Sequence, residues 1–221
     1  MQKIRLKVKT VIFDMDGVIT NTMPDHFRAW KMIFLRQGIK VTRVDIYGRE
    51  GQKGIRSVQE ISQEYQKPIS SINAKKILLA KEELFKEIVK RRFIVGARSF
   101  LRFLHKKNIR LGLVTGTSRQ ELLQILPDHL YNLFSVIVTG TDVKNGKPHP
   151  EPFLKALQLL KVKPREAVVI ENAPFGIQSA KKAKLRCLAL ASSLPKKYLR
   201  EADSVFSSIK EMRGKVWFEA L

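Results

Sequence analysis

Five short apolar runs, each closing on a polar or small residue, restrict this chain more than anything else in it. They are residues 9–14 (Lys-Thr-Val-Ile-Phe-Asp), 110–115, 135–139, 167–171 and 187–191. Their apolar residues are largely consecutive rather than alternate, as in strands covered on both faces of a parallel sheet. Helical stripes lie between them, one made by Phe100, Leu101, Phe103 and Leu104 and another by Phe153, Leu154, Leu157 and Leu160. Strand-helix alternation of this kind predicts an α/β fold with a doubly wound, mostly parallel, Rossmann-like sheet. At 221 residues the chain has room for that core and a small second domain.

The alternation breaks once, over residues 22–93. Pro24 stands where a first-turn proline is tolerated, Phe27, Trp30, Ile33 and Phe34 follow at helical spacing, and Gly38 is a stop signal. A second helix is predicted from Ser71 to Arg92, with Leu78, Leu79, Phe85, Ile88 and Val89 on one face. Between them the glycine-rich, charged stretch Tyr47–Gly54 reads as a loop, and no buried strand is expected. Residues 22–93 therefore form a helical insert, and residues 1–21 and 94–221 form the α/β core.

Composition narrows the partners. The chain carries 42 Lys+Arg against 20 Asp+Glu, a net charge of +22, while 44% hydrophobic residues exclude wholesale disorder. A charge of that size invites a nucleic-acid reading, which also requires clustering. Here the longest basic run is Lys90-Arg91-Arg92, and no aromatic-basic stacking pattern accompanies it. The sequence thus argues against a nucleic-acid partner. No apolar run is long enough to span a membrane, and the start, Met1–Lys9, alternates basic and apolar residues instead of forming a signal peptide. The single cysteine, Cys187, can form neither an internal disulfide nor a zinc site and reads as a packed core thiol. A cytoplasmic monomer or homodimer is expected. The pair Trp217-Phe218 is left open between docking on the core and self-association.

Ligands of open α/β sheets bind beyond the carboxyl ends of the strands, so those ends are where chemistry should lie. The first run ends Asp14-Met-Asp16-Gly-Val-Ile-Thr, the second Thr115-Gly116-Thr117-Ser118, and the fourth Glu171-Asn172-Ala-Pro-Phe-Gly. The third is followed by Gly146-Lys147-Pro-His-Pro-Glu-Pro. Each alone is equally a helix cap, a turn residue or a solvated charge. Hydroxyls and backbone N–H groups before a helix also suit phosphate.

Taken together, Asp-x-Asp, Thr, Lys and Glu-Asn in that order resemble the haloacid dehalogenase superfamily, and within it the β-phosphoglucomutase-like subgroup with a helical cap. The similarity spans essentially the whole chain and includes His26-Phe-Arg-Ala-Trp30. It implies that Asp14 is the nucleophile, forming an aspartyl-phosphate. It implies that Asp16 is the general acid and base, with a pKa raised toward the working pH by its acidic surroundings. Thr115, Gly116, Thr117 and Lys147 would hold the phosphoryl group, and Mg²⁺ would bind through Asp14, Asp16, Glu171 and Asn172. Two positions depart from the family pattern. Asn21-Thr22 replaces Asp-Thr, and Asn172 replaces a second acid, so Glu171 takes over as the charged ligand or metal affinity falls.

The resemblance implies a Mg²⁺-dependent phosphatase acting on a small phosphorylated metabolite of the sugar or polyol phosphate class. A mutase like β-phosphoglucomutase shares the first half-reaction and is the alternative, supported by His26 at the cap hinge. A catalytically impaired nucleic-acid binder is a third reading. In the cap loop, Arg49 and Lys53 are the candidates for contacting the substrate's distal end.

Overall fold

The structure is a computed structural model describing residues 4–221. β1 (Ile4–Val8) and β2 (Thr10–Phe13) come first, followed by α1 (Met23–Arg36), α2 (Arg43–Tyr47), α3 (Gly54–Glu64) and α4 (Ser71–Ile88) with no named strand among them. The chain continues through α5 (Ala97–Lys106), β3 (Arg110–Val114), α6 (Arg119–Ile125), α7 (Asp128–Tyr131), β4 (Val136–Val138) and α8 (Glu151–Leu160). It closes with β5 (Ala167–Glu171), α9 (Pro174–Lys182), β6 (Arg186–Leu190), β7 (Ser204–Phe206), α10 (Ile209–Lys215) and β8 (Val216–Ala220).

The main sheet has the order β4-β3-β2-β5-β6-β7 with every pairing parallel. From β2 the chain winds to one side through β3 and β4, then returns to lay β5 against β2 and winds the other way. The strand order therefore reverses between β2 and β5, where open α/β sheets form their ligand crevice. Asp14 leaves β2 at this point and Glu171 ends β5.

Consecutive apolar residues serve two cores at once. Val11, Phe13, Leu111, Leu113, Val168 and Ile170 pack on one face of the sheet, while Ile12, Val114, Val169 and Cys187 pack on the other. Cys187 is fully buried, and burial pushes its thiol well above the usual value, as a packed core thiol requires. The helices α1 to α4 enclose a separate cluster that includes Trp30, Phe34, Ile46, Val58 and Ile77.

Three strands were not expected. β1 and β8 form a parallel pair of their own, with Leu6 opposite Phe218. Phe218 is buried against Phe100, with ring centroids 5.5 Å apart, whereas Trp217 points away and lies with Lys107 4.7 Å from its ring centre. The Trp217-Phe218 pair thus splits across the two faces of a strand. The third, β7, is a short edge strand beside β6.

Two helical faces also differ from expectation. In α4 the buried residues are Ala74, Ile77, Lys81 and Phe85, and Leu79 is half exposed. A helix turns about 100° per residue, so a stripe through Ile77 and Lys81 leaves Leu79 on the opposite side. In α8 Leu154 faces solvent, and Ala156 joins Phe153, Leu157 and Leu160 inside. No helix among the described residues is long and apolar enough to cross a membrane.

Candidate active site

The chain leaves β2 in a tight loop. The N–H groups of Val18, Ile19 and Thr20 all point to the carbonyl of Met15, and Gly17 donates to Thr20 O at 2.7 Å. Gly17 has φ +90°, and a side chain there would collide with Asn172 and Ser193, so glycine satisfies both the backbone and the close approach of the fourth motif. The loop turns both aspartates inward, leaving Asp14 and Asp16 buried.

Lys147 organises one half of the site. Its buried ammonium donates to Asp14 Oδ1 at 2.6 Å, Glu171 Oε1 at 2.7 Å and the Val114 carbonyl at 3.2 Å. Burial disfavours the charged lysine, but the two carboxylates more than offset this and hold it protonated, above its ordinary value. Burial first, then the charges of Glu171 and Asp16, push Asp14 well above the usual carboxylate range despite Lys147. Glu171 spends its other oxygen on the N–H groups of Asn172 and Ala173, at 2.6 and 2.9 Å.

Asp16 is held differently. Its Oδ1 accepts from Thr22 and lies 3.5 Å from His26 Nε2, and its Oδ2 accepts from Thr117 Oγ1 at 2.8 Å. Thr115 Oγ1 also reaches Asp16 Oδ2, at 3.4 Å. Behind His26, the ammonium of Lys81 sits 3.2 Å from Nδ1, and Phe85 stacks on the imidazole at 4.0 Å. Burial raises the Asp16 carboxyl, but the hydrogen bond and charge of His26, with the Thr22 and Thr117 hydroxyls, outweigh it and bring the pKa to about 2. This corrects the expectation that acidic surroundings raise it: Asp16 faces donors, and Asp14 is the crowded carboxylate.

A carboxylate lowered from 3.8 to about 2 stabilises the fold above the unfolded value and loses that contribution as pH falls through the folded one. The sign follows because the unfolded chain binds the proton first. In metal-free protein, urea denaturation should show roughly 2 kcal/mol lost between about pH 5 and pH 2, a loss the Asp16→Asn variant lacks. Parallel profiles for the two proteins would show that Asp16 is not held this way.

The cap loop closes over the core loops. Lys147 N–H donates to Gly51 O at 3.1 Å, and Lys53 Nζ donates to the carbonyls of Gly140 and Val143 at 2.6 and 2.8 Å. A Cβ on Gly116 would stand 2.5 Å from Gly51 Cα, so backbone meets backbone here. Gly116→Ala should therefore hold the cap open, lowering kcat/KM about tenfold or more while the denaturation midpoint of the core barely moves. Wild-type kinetics in that variant would rule out closure at this contact.

The other cap candidates are already engaged. Arg49 pairs with Glu64, donates to Asp45 O at 3.2 Å and approaches Glu60 at 3.9 Å. Both Arg49 and Lys53 border the cap–core cavity, but their charged ends are tied to protein groups. Lys81 and Glu50 are among the residues that escaped the sequence reading. Lys81 interrupts the buried stripe of α4, a signal that a correct choice of helical face would have exposed. Glu50 borders the cavity from the cap loop; burial pushes its carboxyl up, with Asp16 adding to the rise and His26, Lys81 and Lys147 opposing it.

Two buried oxygens of the site have no hydrogen-bond partner: Asp14 Oδ2 and Asn172 Oδ1. Asn172 Nδ2 donates to Ser193 Oγ at 2.9 Å. The free amide oxygen of Asn172, beside an excess of carboxylates over Lys147, suits a hard cation that keeps several of its waters. Mg²⁺ fits this donor set. Among the described residues, no group of three or more His, Cys, Asp and Glu is arranged to hold a metal by itself.

Similarity to known proteins extends over most of the chain. A family model described as haloacid dehalogenase-like hydrolase matches residues 11–190. A phosphorylated carbohydrates phosphatase of Thermotoga maritima is 34% identical over 183 residues, covering 80% of this chain and 82% of its own length. The β-phosphoglucomutase of Bacillus subtilis is 31% identical, with 85% of each chain covered. The crystal structure of β-phosphoglucomutase from Clostridium difficile superposes with a TM-score of 0.79 at 26% identity, covering 94% of this chain and 96% of that one.

Proposed function

Starting from its membership of the haloacid dehalogenase-like hydrolases, we propose that this chain is a Mg²⁺-dependent phosphatase of small phosphorylated metabolites, working through an aspartyl-phosphate on Asp14. As a member of that family it is an enzyme of the phosphoric monoester hydrolase and phosphotransferase type. The observation carrying the proposal is the buried Asp14 carboxylate, fixed by Lys147 through Oδ1 and leaving Oδ2 unpartnered.

In the first half-reaction Asp14 Oδ2 bonds to phosphorus as the bond to the leaving alcohol oxygen breaks. That oxygen takes a proton from the Asp16–His26 pair. In the second, Asp16, ionised at neutral pH, accepts a proton from the attacking water, and Asp14 is released as a carboxylate. Lys147 offsets the charge gathering on the transferred group, and Thr115, Gly116 and Thr117 lie where its oxygens would be held. Mg²⁺, held by Asn172 and by the Asp14 oxygen that does not attack, with Glu171 adding charge nearby, would neutralise the phosphoryl oxygens.

The mutase alternative draws support from the relatives of that name. It requires the cap to bind the second phosphate of a bisphosphate. Arg49 is engaged with Glu64, and Lys53 with two core carbonyls, which favours water as the acceptor. A panel of sugar, polyol and nucleotide monophosphates with Mg²⁺ or EDTA tests both readings. Phosphate release that EDTA abolishes is expected. No release from any member, or isomerisation of β-glucose 1-phosphate with a bisphosphate primer outpacing release, would overturn the proposal.

A further inference from the structure

We propose that the cap–core cavity selects a phosphomonoester carrying a protonated amine at its far end, gripped by Glu121 with Glu82 and Glu50. The inference rests on the phosphatase reading and names the substrate class for the cavity that adjoins that site at His26, Gly116 and Thr117. Basic residues outnumber acidic ones about two to one in this chain, 42 against 20. The lining of the cavity between cap and core, about 220 Å³, instead sets four acids, Asp45, Glu50, Glu82 and Glu121, against three cations, Arg49, Lys53 and Lys81. Its cations Arg49 and Lys53 are occupied by protein partners, and Lys81 lies against His26 and the rings of Trp30 and Phe85. The acids Glu50, Glu82 and Glu121 are not matched in this way.

Glu121 carries the argument. It borders the cavity and is only 5% exposed. Its Oε2 accepts from Ser118 N and Oγ, at 3.2 and 2.9 Å, and closes the first turn of α6. Its Oε1 is buried without any hydrogen-bond partner. A buried carboxylate oxygen left this way is costly unless a ligand supplies the donor. Glu82 borders the same cavity from the cap, where burial and the Glu121 charge push its carboxyl up. An ammonium offers three N–H donors and a compensating charge to these carboxylates, whereas a second phosphate or a carboxylate would be repelled.

Glucosamine 6-phosphate and glucose 6-phosphate, differing by one amine, provide the test. Both kcat/KM for the wild type and Kd for the Asp14→Asn protein by calorimetry should favour the amine by about tenfold or more. Glu121→Gln, or Glu82→Gln should the first variant misfold, should bring the ratio close to one. Equal binding, preference for glucose 6-phosphate, no binding of the amine, or a ratio indifferent to these substitutions would overturn the inference. Hydrolysis without amine preference would sink this inference alone. Amine-selective binding without hydrolysis would sink the phosphatase reading alone.

Discussion

Asp14→Asn should lower turnover of phosphomonoesters by roughly 10⁴-fold or more while leaving the protein folded. Asparagine keeps the shape of aspartate, and its amide oxygen can still accept from Lys147, which holds the native carboxylate at 2.6 Å. What it lacks is an oxygen nucleophile in place of Oδ2, the atom the fold leaves unpartnered. Stability should be kept or improved at neutral pH. Burial and neighbouring acids raise the Asp14 carboxyl in the folded protein, so its charge costs stability once pH rises above the unfolded value. Stopped-flow phosphate release measures the loss, and mass spectrometry of quenched wild type should show a phosphoryl adduct that the variant does not form. Turnover within a hundredfold of wild type would exclude Asp14 as the nucleophile.

Lys147→Met should be the most damaging single change to the fold. It leaves Asp14 and Glu171 facing each other, both buried, without the ammonium that bridges them. Removing one partner of a buried ionic cluster typically costs about 3–5 kcal/mol, here a midpoint lower by roughly 10 °C. The pH dependence has a definite sign. Without the lysine the buried Asp14 carboxyl binds its proton more readily folded than unfolded, so the variant should regain stability as pH falls below neutral. The wild type should instead lose the contribution of Lys147 at alkaline pH, above the unfolded lysine value of 10.5, because its folded pKa lies higher still. Adding Glu171→Gln to Lys147→Met should recover part of the stability and none of the activity. If the single variant unfolded at the wild-type midpoint across pH, the bridging role would be refuted.

Asp14, Thr115 and Glu171 were legible because each stands at the end of a strand whose two buried faces mark it in the sequence, and Lys147 because its loop follows another strand. Val11, Ile12 and Phe13 can all be apolar only if both sides of β2 are covered, and such sheets gather their strand ends in one crevice. Asp14, Lys147 and Glu171 accordingly share one hydrogen-bonded cluster, and Thr115 reaches Asp16 beside it. β1 and β8 were hidden because their pairing joins opposite ends of the chain. Burial in these two strands is set by one packed face, and Ile4–Val8 carries charged residues on the other.

The cap was a different matter. Arg49 and Lys53 looked free because no local pattern reveals Glu64 or the carbonyls of Gly140 and Val143, which only the folded loop brings near. Nothing in the sequence singles out Glu50, Lys81 or Glu121, for the same reason. The pKa of Asp16 moved down rather than up because His26 and the Thr22 and Thr117 hydroxyls, not the other acids, are what it touches. Sequence alone thus indicated the parallel sheet, the helical stretch that interrupts it and the strand end where Asp14 and Asp16 stand, all carried by short-range apolar pattern. Tertiary structure decided which charges remain available to a substrate, because charge in a closed cavity depends on distances between residues far apart in the chain.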